Sequence, residues 1–138
     1  MSDAGWIWGV RAAGVFHFVT LIAACFTPIP PNWDENLARL PEIHRRFAIA
    51  QNFFIGATIA FWGAVSLWFA PELVARSVAA RVVCTGVALW WGGRLVVLPW
   101  LRVWPQLAGS WQRTGFRLLQ LECASYALAY GWLACRRG

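Results

Sequence analysis

Three polar patches interrupt an otherwise apolar chain: Gln51–Asn52, Arg94 and Glu122. A guanidinium, a carboxylate and two carboxamides inside hydrophobic stretches can pair with one another or hold a polar headgroup. They can also move a proton where water has access. His17 adds an imidazole, and Tyr126, one helical turn after Glu122, adds a phenol on the same helix face. The candidate ligand-binding residues are therefore Arg94, Glu122, Asn52, Gln51, Tyr126 and His17, with Glu122, Arg94 and His17 as the candidates for acid–base catalysis. Two readings compete. In one, these groups are polar glue between helices; in the other, they line a half-buried cavity that opens to one leaflet and takes an amphipathic molecule such as a lipid, a quinone or a pigment.

Acting together requires helices that bring these residues to one level. Hydrophobic residues make up 59% of the 138-residue chain and charged residues 13%, about half the charged share of a typical soluble domain. Mean hydropathy is +0.52. Four apolar stretches approach the ~20 residues that a helix needs to cross ~30 Å of hydrocarbon. They predict helices over 6–26, 41–69, 78–98 and 116–135. The expected fold is an all-α integral membrane protein, one domain formed by an up-down-up-down bundle of four transmembrane helices with both termini on the same side. Pro28, Pro30 and Pro31 are expected to stop the first helix, Pro71 the second and Pro99 the third. Pro41 suits the first position of the second helix, with Glu42 favourable at its positive end. The 27–40 connection should hold a short interfacial helix, capped by Asn32 or Asp34 and laying Leu37 and Leu40 on the membrane surface.

On these boundaries Arg94 lies ~8 Å and Glu122 ~9 Å from the same interface, Gln51 and Asn52 lie ~6–8 Å in, and His17 is deeper at ~13 Å. Facing antiparallel helices would let Arg94 and Glu122 form an ion pair, while Arg117, nearer the surface, snorkels. The opposite half of the bundle is expected to be almost entirely apolar, apart from Arg11, Ser66 and Thr85. Tryptophans support the same crossings. Trp6, Trp8, Trp68 and Trp132 fall at one interface, Trp33, Trp100, Trp104 and Trp111 at the other, as aromatic belts do. Gly5/Gly9, Gly56/Ala60/Ala64, Ala88/Gly92 and Ala127/Gly131 have the small-xxx-small spacing of close helix seams.

Several function classes fall away. The net charge of +6 comes from twelve arginines and no lysine, and most arginines flank helix ends, where they meet lipid phosphate; nucleic acid is not an expected partner. The four cysteines (Cys25, Cys84, Cys123, Cys135) lack metal or redox spacing and read as small buried hydrophobes. His17 and His44 differ in depth by more than ~15 Å, which makes bis-histidine haem ligation poor geometry; His17 alone remains as a ligand to iron or to a chlorin magnesium. No phosphate-cradling or dinucleotide motif is present. Ile22-Ala23-Ala24-Cys25 resembles a lipobox, but Arg11, behind Trp6 and Trp8, is a weak start for a secretory signal. Arginines divide almost evenly between the two sides (Arg76, Arg81, Arg136 and Arg137 against Arg39, Arg45, Arg46, Arg102 and Arg113), so charge sets no orientation.

The leading expectation is a small integral membrane subunit or binding module, in a bacterial cytoplasmic membrane, surrounded by membrane lipids. It packs with partner helices, as a homo-oligomer or within a larger complex, or holds a lipophilic ligand. The alternatives are a membrane-embedded enzyme using Arg94, Glu122 and His17 on a lipophilic substrate, and a small proton-coupled transporter working through Glu122. Size and helix plan are similar to those of the membrane-associated eicosanoid and glutathione enzymes, but their Glu and Arg spacing is missing, so no residue role carries over.

Overall fold

The computed structural model describes residues 2–26 and 32–136, and over these the chain is helical with no strand. The long helices are α1 (Asp3–Phe26), α3 (Glu42–Trp68), α5 (Val78–Trp100) and α6 (Ser110–Cys135). Between them lie short α2 (Trp33–Ala38), short α4 (Ala70–Val74) and one 3-10 turn at Trp104–Gln106. Three helices, α1, α3 and α5, are long and apolar enough to cross a membrane. α6 is as long, but Gln112, Arg113, Arg117, Gln120 and Glu122 make it more polar. Pro28, Pro30 and Pro31, the expected stop of the first helix, lie outside the described residues, as does Arg137.

Proline behaves differently from the sequence expectation at two helix ends. Pro71 does not end α3, which stops at Trp68; it sits in the first turn of α4, where a missing N–H leaves no hydrogen bond unmade. That short helix tucks Ala70, Leu73 and Val74 into the end of the bundle. Pro99 lies inside the last turn of α5, which continues to Trp100 because Leu101 N–H still reaches the Val97 carbonyl at 3.2 Å. At the start of α3, Pro41 is the cap, its carbonyl accepting from Arg45 N–H at 3.0 Å. Asn32 precedes α2 in a left-handed conformation (φ 57°) and makes no side-chain cap bond, so neither expected cap forms there. α6 begins six residues before the apolar stretch, with Gln112 Oε1 accepting from Gly109 N–H at 3.3 Å.

Two antiparallel hairpins make up the bundle. In the first, α1 and α3 meet at Gly14 and Gly63. A Cβ added at Gly14 would lie 2.7 Å from Leu67 Cγ and 2.9 Å from the Gly63 carbonyl oxygen, and one at Gly63 would lie 3.0 Å from His17 Cβ. In the second, Ala88 and Gly92 of α5 face Gly131 and Ala127 of α6, with 3.9 Å between real and added Cβ atoms at both pairs. Two of the small-residue motifs thus form one internal seam. The hairpins join through larger side chains: Thr20 of α1 to Glu122 of α6, Ser66 of α3 to Tyr130 of α6, and Trp62 of α3 against Gly86 of α5. Asp3 forms ion pairs with Arg76 (3.2 Å) and Arg136 (2.6 Å), which brings the start of α1, the α4–α5 turn and the end of α6 to one side.

The packing of α3 is dense at that end and loosens toward the other, where a second core of Leu98, Val103, Leu107 and Phe116 joins α5, α6 and their connection. α3 buries Ile59, Gly63 and Ser66 but nothing in its first half, where Phe53 and Phe54 are 72% and 68% exposed. Two expectations are corrected. Cys25 and Cys135 are exposed, because each sits at a helix end beyond the packed core, while Cys84 and Cys123 are buried. The half of the bundle expected to be apolar apart from Arg11, Ser66 and Thr85 also holds the Tyr130 hydroxyl, in a buried hydrogen bond: Ser66 Oγ donates to the Trp62 carbonyl (2.7 Å), so Tyr130 OH donates to Ser66 Oγ (2.5 Å). Gly14→Val should push α1 from α3 and cost about 1–3 kcal/mol as overpacking, whereas Gly93→Ala, with no atom within 4 Å of the new Cβ, should leave stability unchanged or slightly higher. Thermal unfolding followed by circular dichroism in detergent checks both.

Candidate functional site

The interior face of α1 carries Val10, Gly14 and His17, at the spacing of a helix stripe. His17 is fully buried. Its Nδ1 lies 2.7 Å from the Ala13 carbonyl, one turn back, and its Nε2 lies 3.1 Å from Nε1 of Trp91 on α5. A carbonyl only accepts and an indole N–H only donates, so the partners set the tautomer: Nδ1–H donates to Ala13 and Nε2 accepts from Trp91. The imidazole is neutral and both nitrogens are engaged. Coordination of iron or magnesium by Nε2 of His17 would require displacing the Trp91 N–H. Among the described residues no group of three or more His, Cys, Asp or Glu side chains gathers for a metal. Tyr126 stacks on the imidazole (ring centroids 4.1 Å apart), and Trp91 closes an aromatic triangle at 5.2 Å from His17 and 5.0 Å from Tyr126.

Glu122 lies on α6 beside this triangle and faces α1. Thr20 Oγ1 donates to Oε2 at 2.5 Å, and Tyr126 OH donates to Oε1 at 2.5 Å. The phenol has one proton; its contact with the Ala13 carbonyl is longer, 3.3 Å, and that carbonyl already accepts from His17. Tyr126 therefore serves the carboxyl group and meets His17 only through ring stacking. No hydrogen-bonded path links Glu122 to the imidazole, so the arrangement can hold a carboxyl group but does not form a continuous proton relay.

Arg94 and Glu122 make no ion pair, contrary to the sequence expectation. Register is one reason: with Gly92 facing Ala127 and Ala88 facing Gly131, residue 94 lies opposite residue 125 rather than 122. Rotation is the other, since the Glu122 oxygens turn toward Thr20 and Tyr126. Arg94 is half-buried, and its Nε is shut in without a hydrogen-bond partner. A guanidinium on a membrane-spanning helix costs about 2.5–3.5 kcal/mol at mid-bilayer on insertion scales, so an unanswered one is an unusual feature. Arg117 stacks over Trp104 (5.1 Å), which keeps it at the polar end of α6.

Gln51 and Asn52 do not join the His17–Glu122 cluster. Both are exposed on the unpacked first half of α3. Gln51 instead helps to line a groove of about 400 Å³ between α3 and α5, with Phe54, Ile55, Thr58 and Trp90. Thr58 Oγ1 donates to the Phe54 carbonyl at 2.8 Å, which leaves its lone pairs facing outward as acceptors. The structure thus divides the sequence candidates in three: His17, Tyr126 and Glu122 together inside, Arg94 alone on α5, and Gln51 and Asn52 on the α3 surface. Thr20 and Trp91 were missed. A threonine and a tryptophan in an apolar run are both compatible with lipid contact, and only the partner identifies them.

His17→Leu alone leaves the buried Trp91 N–H without an acceptor, at about 1–3 kcal/mol. Trp91→Phe alone removes the donor to Nε2. The double variant should be less destabilised than the sum of the singles, with a coupling of about 0.5–3 kcal/mol, measured by thermal or denaturant unfolding in detergent; strict additivity would contradict the bridge. Compared with known proteins, the chain matches no family model, no curated protein and no solved structure.

Proposed function

We propose that this chain is a small, non-catalytic membrane binding module whose four long helices all cross the bilayer and whose α3–α5 groove holds a lipophilic ligand. The observation that carries this reading is the groove. At about 400 Å³ it falls within the ~300–1,000 Å³ typical of small-molecule sites. Its walls are apolar and aromatic, from Phe54, Ile55 and Trp90, with polar groups from Gln51 and Thr58. It lies where the first half of α3 leaves its surface unpacked. A lipid, a quinone or a pigment has the tail for such walls.

Crossing by α6 is supported by its seam with α5, since a helix in van der Waals contact along a spanning helix shares its depth. The Asp3–Arg136 ion pair supports it as well. Three crossings would leave the two ends of the chain on opposite sides; four bring them together. The enzyme and transporter readings both need a group free to exchange protons. With His17 bonded at both nitrogens and Glu122 at both oxygens, binding is the better fit. One further observation favours a subunit role beside ligand binding. Gly9, in the Gly5/Gly9 motif, is exposed, with no atom within 4 Å of an added Cβ, and Trp8 beside it is exposed too. That face of α1 is shaped for a neighbouring helix, from a second copy or another subunit.

Two measurements test the proposal. Gentle purification followed by mass spectrometry and absorbance should recover a bound lipophile, and Thr58→Trp, which fills the groove, should lower that recovery about tenfold, equivalent to ~1.4 kcal/mol. A lipophile-free wild type would overturn the binding role. Four crossings place Cys25 and Cys135, both exposed, near opposite faces. A membrane-impermeant maleimide should therefore label one of them in sealed vesicles and the other only after permeabilisation; labelling of both from one side would overturn the fourth crossing.

A further inference from the structure

We infer that Arg94 is the headgroup site of the α3–α5 groove, and that the ligand is an anionic bilayer lipid whose phosphate or carboxylate meets the guanidinium. This inference rests on the groove-binding reading and specifies its ligand class. The placement follows from register. The hairpins run antiparallel, and Trp62 of α3 touches α5 at Gly86, where a Cβ would lie 3.8 Å from the indole. Counting in opposite directions from that contact sets Thr58 level with Trp90, both of which line the groove, and Phe54 level with Arg94, which lies beyond the lining residues. Arg94 is one helical turn beyond Trp90 and therefore lies at the end of the groove nearer the α5 terminus at Trp100. Six residues from that terminus is ~9 Å of helix rise, a depth that a long arginine side chain bridges to headgroup level.

The charge at this point lacks an answer within the protein. Arg94 follows the core spacing of α5, after the buried Ala80, Cys84, Val87 and Trp91 and before the buried Leu98. The carboxylate nearest in sequence logic, Glu122, is held by Thr20 and Tyr126. Other arginines at the bundle have partners within the protein: Arg81 Nε donates to the Ala134 carbonyl at 3.0 Å, Arg113 Nε to the Leu107 carbonyl at 3.0 Å, and Arg76 and Arg136 pair with Asp3 through terminal nitrogens, although Arg136 Nε, like Arg94 Nε, is enclosed without a partner. At Arg94 only Nε is closed off without a partner; the terminal nitrogens are not enclosed. A cation presented this way in a low-dielectric setting, beside an apolar slot, fits a molecule with an acyl tail and an anionic head. Free phosphate offers the same head without the tail, and zwitterionic lipid offers the tail with the charge already neutralised.

The test is native mass spectrometry of the full chain released from micelles doped with equal amounts of phosphatidylglycerol and phosphatidylcholine. Wild type should retain phosphatidylglycerol about tenfold over phosphatidylcholine. Arg94→Gln should bring the ratio near one, and Arg94→Lys should keep part of the preference. Arg102→Gln, an exposed change outside the groove, should match wild type. Thr58→Trp, which leaves the guanidinium in place, should lower total bound lipid and phosphatidylglycerol together. A preference unchanged in Arg94→Gln overturns the assignment. Wild type that binds lipid without headgroup preference also overturns it while leaving the groove reading intact, and wild type without bound lipid sinks both. Arg94-dependent thermal protection by inorganic phosphate equal to that by phosphatidylglycerol would overturn the lipid as ligand. Helicity by circular dichroism identifies a misfolded variant; if Arg94→Gln is one, Arg94→Lys and Thr58→Trp decide, and full wild-type preference in the first or wild-type total bound lipid in the second overturns the proposal.

Discussion

Within lipid, a donor or acceptor that protein does not answer has no water to answer it, and this constraint organises the bundle. Inside each hairpin the backbones approach closely, at Gly14 and Gly63 in one and along Ala88/Gly92 and Ala127/Gly131 in the other. Between hairpins the joints are large polar and aromatic side chains. Trp91 reaches His17, Thr20 reaches Glu122, and Tyr130 reaches Ser66. Of these groups, His17, Thr20, Ser66 and Trp91 sit on helices long and apolar enough to cross a membrane. Association of the two hairpins is the means by which they are satisfied.

The same constraint explains the difference between the two clusters of candidate residues. The His17–Tyr126–Trp91 triangle with Glu122 is closed: each ring nitrogen and each carboxyl oxygen has a partner. Closed networks of this kind fix rotation and register between helices. Arg94 is open. It lies outside that network by three residues of register, one helical turn beyond Trp90 of the groove. Structural polarity and accessible polarity therefore occupy different faces of one bundle, and the accessible part carries the binding proposal.

Much of the architecture was legible from composition and spacing. Long apolar runs read as helices, and the Ala88/Gly92 and Ala127/Gly131 motifs as a seam, because each depends on local chemistry repeated along one helix; the close approach at Gly14 and Gly63 was not among the expected motifs. The errors came from the same source. Pro71 and Pro99 were read as stops, yet a first-turn position in α4 needs no N–H, and α5 runs one residue past Pro99 without that residue's N–H bond. Within the site, Glu122, Tyr126 and His17 stood out because ionisable and phenolic groups are rare in apolar runs. Thr20 and Trp91 did not, since their types are ordinary there.

From the sequence alone followed an all-helical chain with helices long and apolar enough to cross a membrane, since rise per residue and transfer energy are properties of one helix at a time. Partner choice was decided only by tertiary structure. Whether Glu122 meets Arg94 or Thr20 depends on the rotation of α6 about its axis and its register against α5, and both are set by small-residue contacts such as Gly92 with Ala127 and Ala88 with Gly131. A shift of a few residues along a seam redirects every side chain on the helix, and no single-helix pattern encodes it.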